Sequence, residues 1–173
     1  MEPYLWAITA LLPALILLLG FFLWQRKNEK LTVLGWQADM RKHQRDLLIP
    51  IRLQAHERCV LFLERISPQH LISRVDSSQK TVRQLQVQLI SEIKAEYEHN
   101  LTQQLYVSEE AWAQLIRAKE ETLAVIHRCA GKISPESGGV VLGKMIIEAW
   151  QQWENPPIAL ALKTFRKEIK SLF

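Results

Sequence analysis

The sequence predicts an all-α protein, with one N-terminal transmembrane helix followed by a cytoplasmic helical domain of about five helices. Three observations carry this. The chain of 173 residues holds only six glycines and seven prolines, so long stretches run without helix breakers. Residues 3–25, "PYLWAITALLPALILLLGFFLWQ", contain no charged side chain. Beyond them apolar residues recur at spacings of three and four, the period of one helix face. A content of 48% apolar and 23% charged residues excludes a disordered chain.

The first element is the anchor, 1–25. At ~1.5 Å per residue the uncharged run reaches about 34 Å, enough to cross a hydrocarbon core of ~30 Å with some tilt. Tyr4 and Trp6 suit one interface and Trp24 the other, and Pro13 is expected to kink the helix. A cleaved signal peptide would carry a basic start, a shorter apolar core and a small-residue cleavage site, none of which is seen. Arg26, Lys27, Lys30, Arg41, Lys42 and Arg45 follow the run directly. The positive-inside rule then places the N-terminus outside and the rest in the cytoplasm, on an inner (cytoplasmic) membrane.

Residues 26–46 read as a basic juxtamembrane helix or linker with Gly35 its weak point. Residues 47–154 read as the cytoplasmic domain. Its first helix, with Pro50 near the start, ends at Ser67-Pro68, where Ser67 can cap a short turn. A long helix then opens at Ser77 or Ser78, with Val82, Leu85, Leu89, Ile93, Tyr97, Leu101 and Leu105 as one inward stripe. Ser108 followed by Glu109 and Glu110 starts the next, carrying Trp112, Leu115, Ile116, Leu123 and Ile126 inward until Gly131 stops it. Gly138-Gly139 reads as a flexible helix start, and Gly143 as a close-packing point in the helix after it. Asn155-Pro156-Pro157 separates a C-terminal basic amphipathic helix, 155–173. Ile158, Leu162, Phe165, Ile169 and Leu172 occupy one face of it and Lys163, Arg166, Lys167 and Lys170 the other.

Candidate chemistry is sparse. His56 and Cys59 are three apart and face one way on a helix, but a complete ligand set is missing, since only one of His127 and Cys129 could join them. Glu96-x-x-His99 is half of a di-iron motif whose second half is absent. No nucleophile elbow, phosphate loop or zinc-protease motif occurs, and "SGGVVLGK" has the wrong spacing for a phosphate loop. The two cysteines read as reduced thiols. The expectation is therefore no enzyme, no cofactor, no metal, no nucleic-acid partner and no small-molecule substrate.

Charge points instead to surfaces. Residues 26–74 carry ten basic and five acidic side chains, residues 75–110 three and six, and residues 155–173 four and one. Arg26, Lys27, Lys30, Lys163, Arg166, Lys167 and Lys170 are the candidates for lipid headgroups. The C-terminal helix could lay its apolar face on a leaflet, or dock it on its own bundle or a partner helix. Trp150 and Trp153 share a face and serve a core or a contact surface.

The stretch "RLQAHERCVLFLERI", 52–66, settles on a wheel into two faces. Ala55, Cys59, Phe62, Leu63 and Ile66 share an apolar arc, while Glu57, Arg58, Glu64 and Arg65 form a charged strip fit to match a partner's charges. Arg52 and His56 fall near the apolar arc. An arginine there needs a carboxylate or free carbonyls, so Arg52 is expected to tether this helix to another. Partner or packing contacts are thus assigned to Arg52, Glu57, Arg58, Phe62, Glu64, Arg65, Trp150 and Trp153.

The same stretch resembles the signature of an uncharacterised single-span membrane protein family of Bacteroidetes. Arg52, Leu53, Gln54, Ala55, Glu57, Arg58, Leu61, Phe62, Leu63, Glu64, Arg65 and Ile66 match it, while His56 stands where an aromatic is usual. The resemblance covers most of the chain, anchor included, and implies no catalytic residues. The function expected is a non-enzymatic, membrane-anchored accessory or scaffold subunit of a larger inner-membrane assembly, with other subunits or its own copies as partners. The alternative is a peripheral regulator binding anionic lipid at the cytoplasmic surface.

Overall fold

A computed structural model describes residues 3–171, with side chains at 15–25, 40, 42, 43 and 45–171. The chain is all-helical among the described residues: α1 (Pro3–Ile66), α2 (Pro68–Arg74), α3 (Val82–Asn100), a 3-10 turn (Leu101–Leu105), α4 (Glu109–Ala130), α5 (Gly139–Gln151) and α6 (Pro157–Lys170). It divides into two compact units, Met1–Leu48 and Ile49–Phe173.

In the first unit the backbone is helical throughout 3–48, so Pro13 and Gly35 do not interrupt it. Leu15, Ile16, Leu17, Leu18, Leu19, Phe21, Phe22, Leu23 and Trp24 are all 57–74% exposed. Among the described residues no helix is long and apolar enough to cross a membrane. Of the expected span, the side chains before residue 15 lie outside the described residues, as do those of Arg26, Lys27, Lys30 and Arg41.

The second unit opens on the rest of α1. Pro50 does not start a helix as expected; α1 runs through it. Pro50 and Asp46 are both exposed, where water can serve the carbonyl that proline leaves unbonded. Ala55, Cys59, Phe62, Leu63 and Ile66 are all buried, as the wheel requires. α2 begins with Pro68 at its first position, but the Ser67 hydroxyl makes no cap and meets His70 Nδ1 at 3.1 Å instead.

The start of α3 differs from expectation. Ser78 bonds back to Asp76, its N–H and hydroxyl both donating to Oδ1 at 2.9 and 2.7 Å, and so closes a turn before the helix. Thr81 is the true cap, paired reciprocally with Gln84 in a capping box. The first two helical N–H groups are served from far away. Val82 N–H donates to the Ser137 carbonyl at 2.9 Å and Arg83 N–H to that of Pro135 at 3.2 Å. Gly139 N–H returns a bond to the Lys80 carbonyl at 2.7 Å. A Cβ on Gly139 would stand 3.0 Å from that same oxygen, so this glycine is a close-approach point and not a flexible start.

The inward stripe of α3 holds for Val82, Leu85, Leu89 and Ile93, which are buried. It fails at its end, where Leu101 is exposed and Leu105 is 77% exposed. The 3-10 turn from Leu101 advances about 120° per residue where an α-helix advances about 100°, which rotates those leucines outward.

α4 is the hub, packing against α3, α5 and α6. Ser108 caps it as expected, accepting from Ala111 N–H at 3.1 Å. Leu115 and Ile126 are buried, with Ala111, Ala118, Thr122, Val125 and Cys129 completing the centre; Trp112 and Leu123 pack at its edge. The small residues let neighbouring helices come close. Gly143 does the same for α5, where a Cβ would stand 3.3 Å from Ile72 Cγ2. α6 docks on the bundle through Ile158, Ala161, Leu162 and Phe165, all in the core, so its apolar face is not left for a leaflet. Leu172 lies outside the described residues.

Candidate functional site

The expected tether of Arg52 exists, and its partner is Glu168 of α6. Arg52 Nη2 lies 3.3 Å from Glu168 Oε1, and Arg52 Nε donates to the Tyr106 carbonyl at 3.2 Å. The carboxylate also takes both donors of Ser108: its N–H to Oε1 at 3.0 Å and its hydroxyl to Oε2 at 2.8 Å. Glu168 therefore sits at the N-terminus of α4, where the helix dipole favours negative charge. Its side chain is only 13% exposed.

His56 completes the cluster. Its Nδ1 donates to the Arg52 carbonyl at 2.6 Å, and its Nε2, fully buried, lies 3.2 Å from Glu168 Oε1. That contact lacks hydrogen-bond alignment, so Nε2 is a buried polar atom without a hydrogen-bond partner among the described residues. The Phe165 ring meets the imidazole edge-on, centroids 5.8 Å apart. One carboxylate thus joins α1, the loop before α4, the start of α4 and α6.

Cys59 lies one turn beyond His56 and is fully buried. Its thiol is pushed up from 9.0 to about 12, first by burial and then by the Glu168 charge. Both cysteines are free, and burial also raises Cys129. Between pH 9 and 12 the folded chain keeps the Cys59 proton while the unfolded chain releases it, so stability falls as pH rises through that window. Chemical denaturation at stepped pH is expected to show this loss in the wild type and a smaller one in Cys59→Ala. Equal slopes would contradict it.

The other expected contact residues separate. Trp150 is buried in the core, its ring 6.2 Å from that of half-buried Trp153. Trp153 lines a cavity of about 560 Å³ with Arg128, Cys129 and Lys132. Phe62 is buried, but its edge floors a groove of about 560 Å³ together with Arg58, Leu61, Arg65, Glu96, His99 and Asn100. Arg65 pairs with Glu96 at 2.8 Å, joining α1 to α3. Glu57 is exposed on the outer strip. Lys163, Arg166, Lys167 and Lys170 are exposed on α6. Glu96 and His99 assemble no metal set, and no group of three or more His, Cys, Asp or Glu suited to a metal occurs among the described residues.

Glu168 and Ser108 are the site residues that the sequence reading missed. The signal was present: Glu168 is the lone acid among the basic residues of "KTFRKEIK" and falls three after Phe165, on the inward face.

Fold and site together define an all-α bundle whose outer helices are stapled by one nearly buried carboxylate. The chain belongs to the Family of unknown function (DUF7935), whose sequence profile matches residues 2–172. No curated protein and no solved structure matches it.

Proposed function

We propose that this chain is a non-enzymatic scaffold or accessory subunit, anchored in the inner membrane by residues 1–25 with Ile49–Phe173 on the cytoplasmic side. The observation that carries the reading is the apolar run 15–24, every large side chain of which is more than half exposed. A helix apolar all round needs cover from lipid or protein. The sequence extends that run, uncharged, over 3–25 and follows it with a basic stretch. The remaining half of the reading rests on the second unit, where charged and apolar groups meet at open grooves on α1.

Two measurements test this on the full chain. Alkaline carbonate washing of membranes should leave it in the pellet; release into the supernatant removes the anchor. Native mass measurement in mild detergent should give an assembly heavier than one chain. A lone monomer removes the scaffold.

The peripheral lipid-binding alternative has less support. It draws on the basic residues of 26–45 and on α6, and the apolar face of α6 is engaged in the core. On α6 the exposed Lys163, Arg166, Lys167 and Lys170 remain to it as a contact of charge, while the side chains of Arg26, Lys27 and Lys30 lie outside the described residues.

A further inference from the structure

We propose that His56 is a proton-operated latch: a proton taken up at its Nε2 fastens α6 to α1 through Glu168, and loss of that proton loosens the contact. His56 Nδ1 lies 2.6 Å from the Arg52 carbonyl, which can only accept, so Nδ1 carries the hydrogen. In the neutral ring Nε2 is then a bare acceptor. It is fully buried and has no hydrogen-bond partner among the described residues. It also stands 3.2 Å from Glu168 Oε1, a carboxylate oxygen and so a second acceptor. The two face each other with no hydrogen between them, and a buried polar group left in that state is costly.

One proton on Nε2 removes both deficits. The nitrogen becomes a donor beside a carboxylate, and the pair becomes a charge-assisted contact. Ser108 holds the carboxylate in place through its N–H and hydroxyl at 3.0 and 2.8 Å, so a turn of the imidazole supplies the alignment now missing. Imidazole is the side chain whose charge ordinarily changes between about pH 5 and 8. The charged and titratable groups around it are Arg52 and Cys59 on α1 and Glu168 on α6. The start of α4 contributes Ser108, which does not titrate. Burial keeps the proton on the Cys59 thiol, which stays neutral over this range. Arg52 opposes a second cation, but it is 39% exposed and also bonds the Tyr106 carbonyl, so water screens it.

A proton that binds the docked form of α6 better than the undocked one favours docking as pH falls, and its loss weakens docking as pH rises. α6 is the element that responds, because Glu168 and Phe165, the two side chains that meet the imidazole, both belong to it. The other four histidines, His43, His70, His99 and His127, are exposed, and none pairs with Glu168 among the described residues.

The test uses the full chain, isotope-labelled, in neutral detergent, stepped from about pH 8 to about pH 5. Long-range proton–nitrogen spectra report which ring nitrogens carry hydrogen. The His56 ring is assigned by its absence in His56→Gln and by its slow exchange with solvent. At the upper end it should carry hydrogen on Nδ1 alone, and at the lower end on both nitrogens. Hydrogen exchange on the same samples, with α3 as the internal reference, should show the protection of α6 rising about tenfold across that change. His56→Gln should remove this response and keep the other four rings. Glu168→Gln, which retains an acceptor for Ser108 without the charge, should flatten it as well. A His56 ring that stays neutral throughout in the folded chain overturns the proposal. So does a ring that gains its proton with no change in α6, or an equal response in His56→Gln. Should that variant fail to fold, the wild-type ring signals and exchange still decide. None of these outcomes bears on the native mass, so the scaffold reading stands or falls separately.

Discussion

Replacing Glu168 with alanine is expected to lower unfolding stability by about 3 kcal/mol, read as a shift in urea midpoint at constant slope. The size follows from what the carboxylate leaves behind. Ser108 N–H and hydroxyl lose their acceptor at the start of α4, and a void opens beside fully buried His56. Arg52 loses less, because it is 39% exposed and keeps the Tyr106 carbonyl. The ordering of variants is therefore definite. Arg52→Ala should cost about 1 kcal/mol, and Glu168→Gln should cost less than Glu168→Ala because an amide oxygen still accepts from Ser108. A double-mutant cycle between Ser108→Ala and Glu168→Ala should show coupling larger than that between Arg52→Ala and Glu168→Ala. A Glu168→Ala cost below about 1 kcal/mol would mean that water replaces the carboxylate, and that packing alone holds α6.

The same cluster shows how much a sequence can say of such a site. Arg52 was legible because an arginine on an apolar arc must find a partner. Glu168 was not, because it sits among Lys163, Arg166, Lys167 and Lys170, where composition assigns it to the solvated face. Only its place three residues after Phe165 marks it as inward. The helix stripes of α4 and α6 were legible for the converse reason: their apolar residues keep one period from end to end. In α3 the period persisted in sequence through Leu101 and Leu105, while the backbone tightened at Leu101 and turned both outward.

Termini were the hardest to read, and the reasons are physical. Ser78 and Thr81 are both good caps by residue type, but Asp76 captures Ser78 and Gln84 completes the box with Thr81. The further partners of α3, the carbonyls of Pro135 and Ser137, lie more than fifty residues away, and no local pattern announces them. Pro50 suggested a helix start that the α1 backbone does not make. A single proline removes one hydrogen bond, and a helix anchored by the buried residues from Ala55 to Ile66 can bear that loss.

Phe165→Ala is expected to have the largest effect, about 3–5 kcal/mol. Phe165 is fully buried at the centre of the α6 contact and supplies the ring that walls in His56. Deleting it removes apolar burial and opens a cavity beside the Glu168 cluster, so water gains access to the staple as well. For a domain whose whole stability is of order 5–15 kcal/mol, that is enough to free α6 before the bundle melts. Limited trypsin digestion separates local release from global unfolding. α6 carries Lys163, Arg166, Lys167 and Lys170, all exposed in side chain yet protected in backbone while the helix is docked. The wild type should resist cleavage there, and Phe165→Ala should lose its C-terminal segment first, with the α3–α5 core persisting as the larger fragment. A variant that keeps both its midpoint and its resistance would show that α6 is not held through this face. Its apolar side would then be available to a leaflet, which returns weight to the lipid-surface alternative.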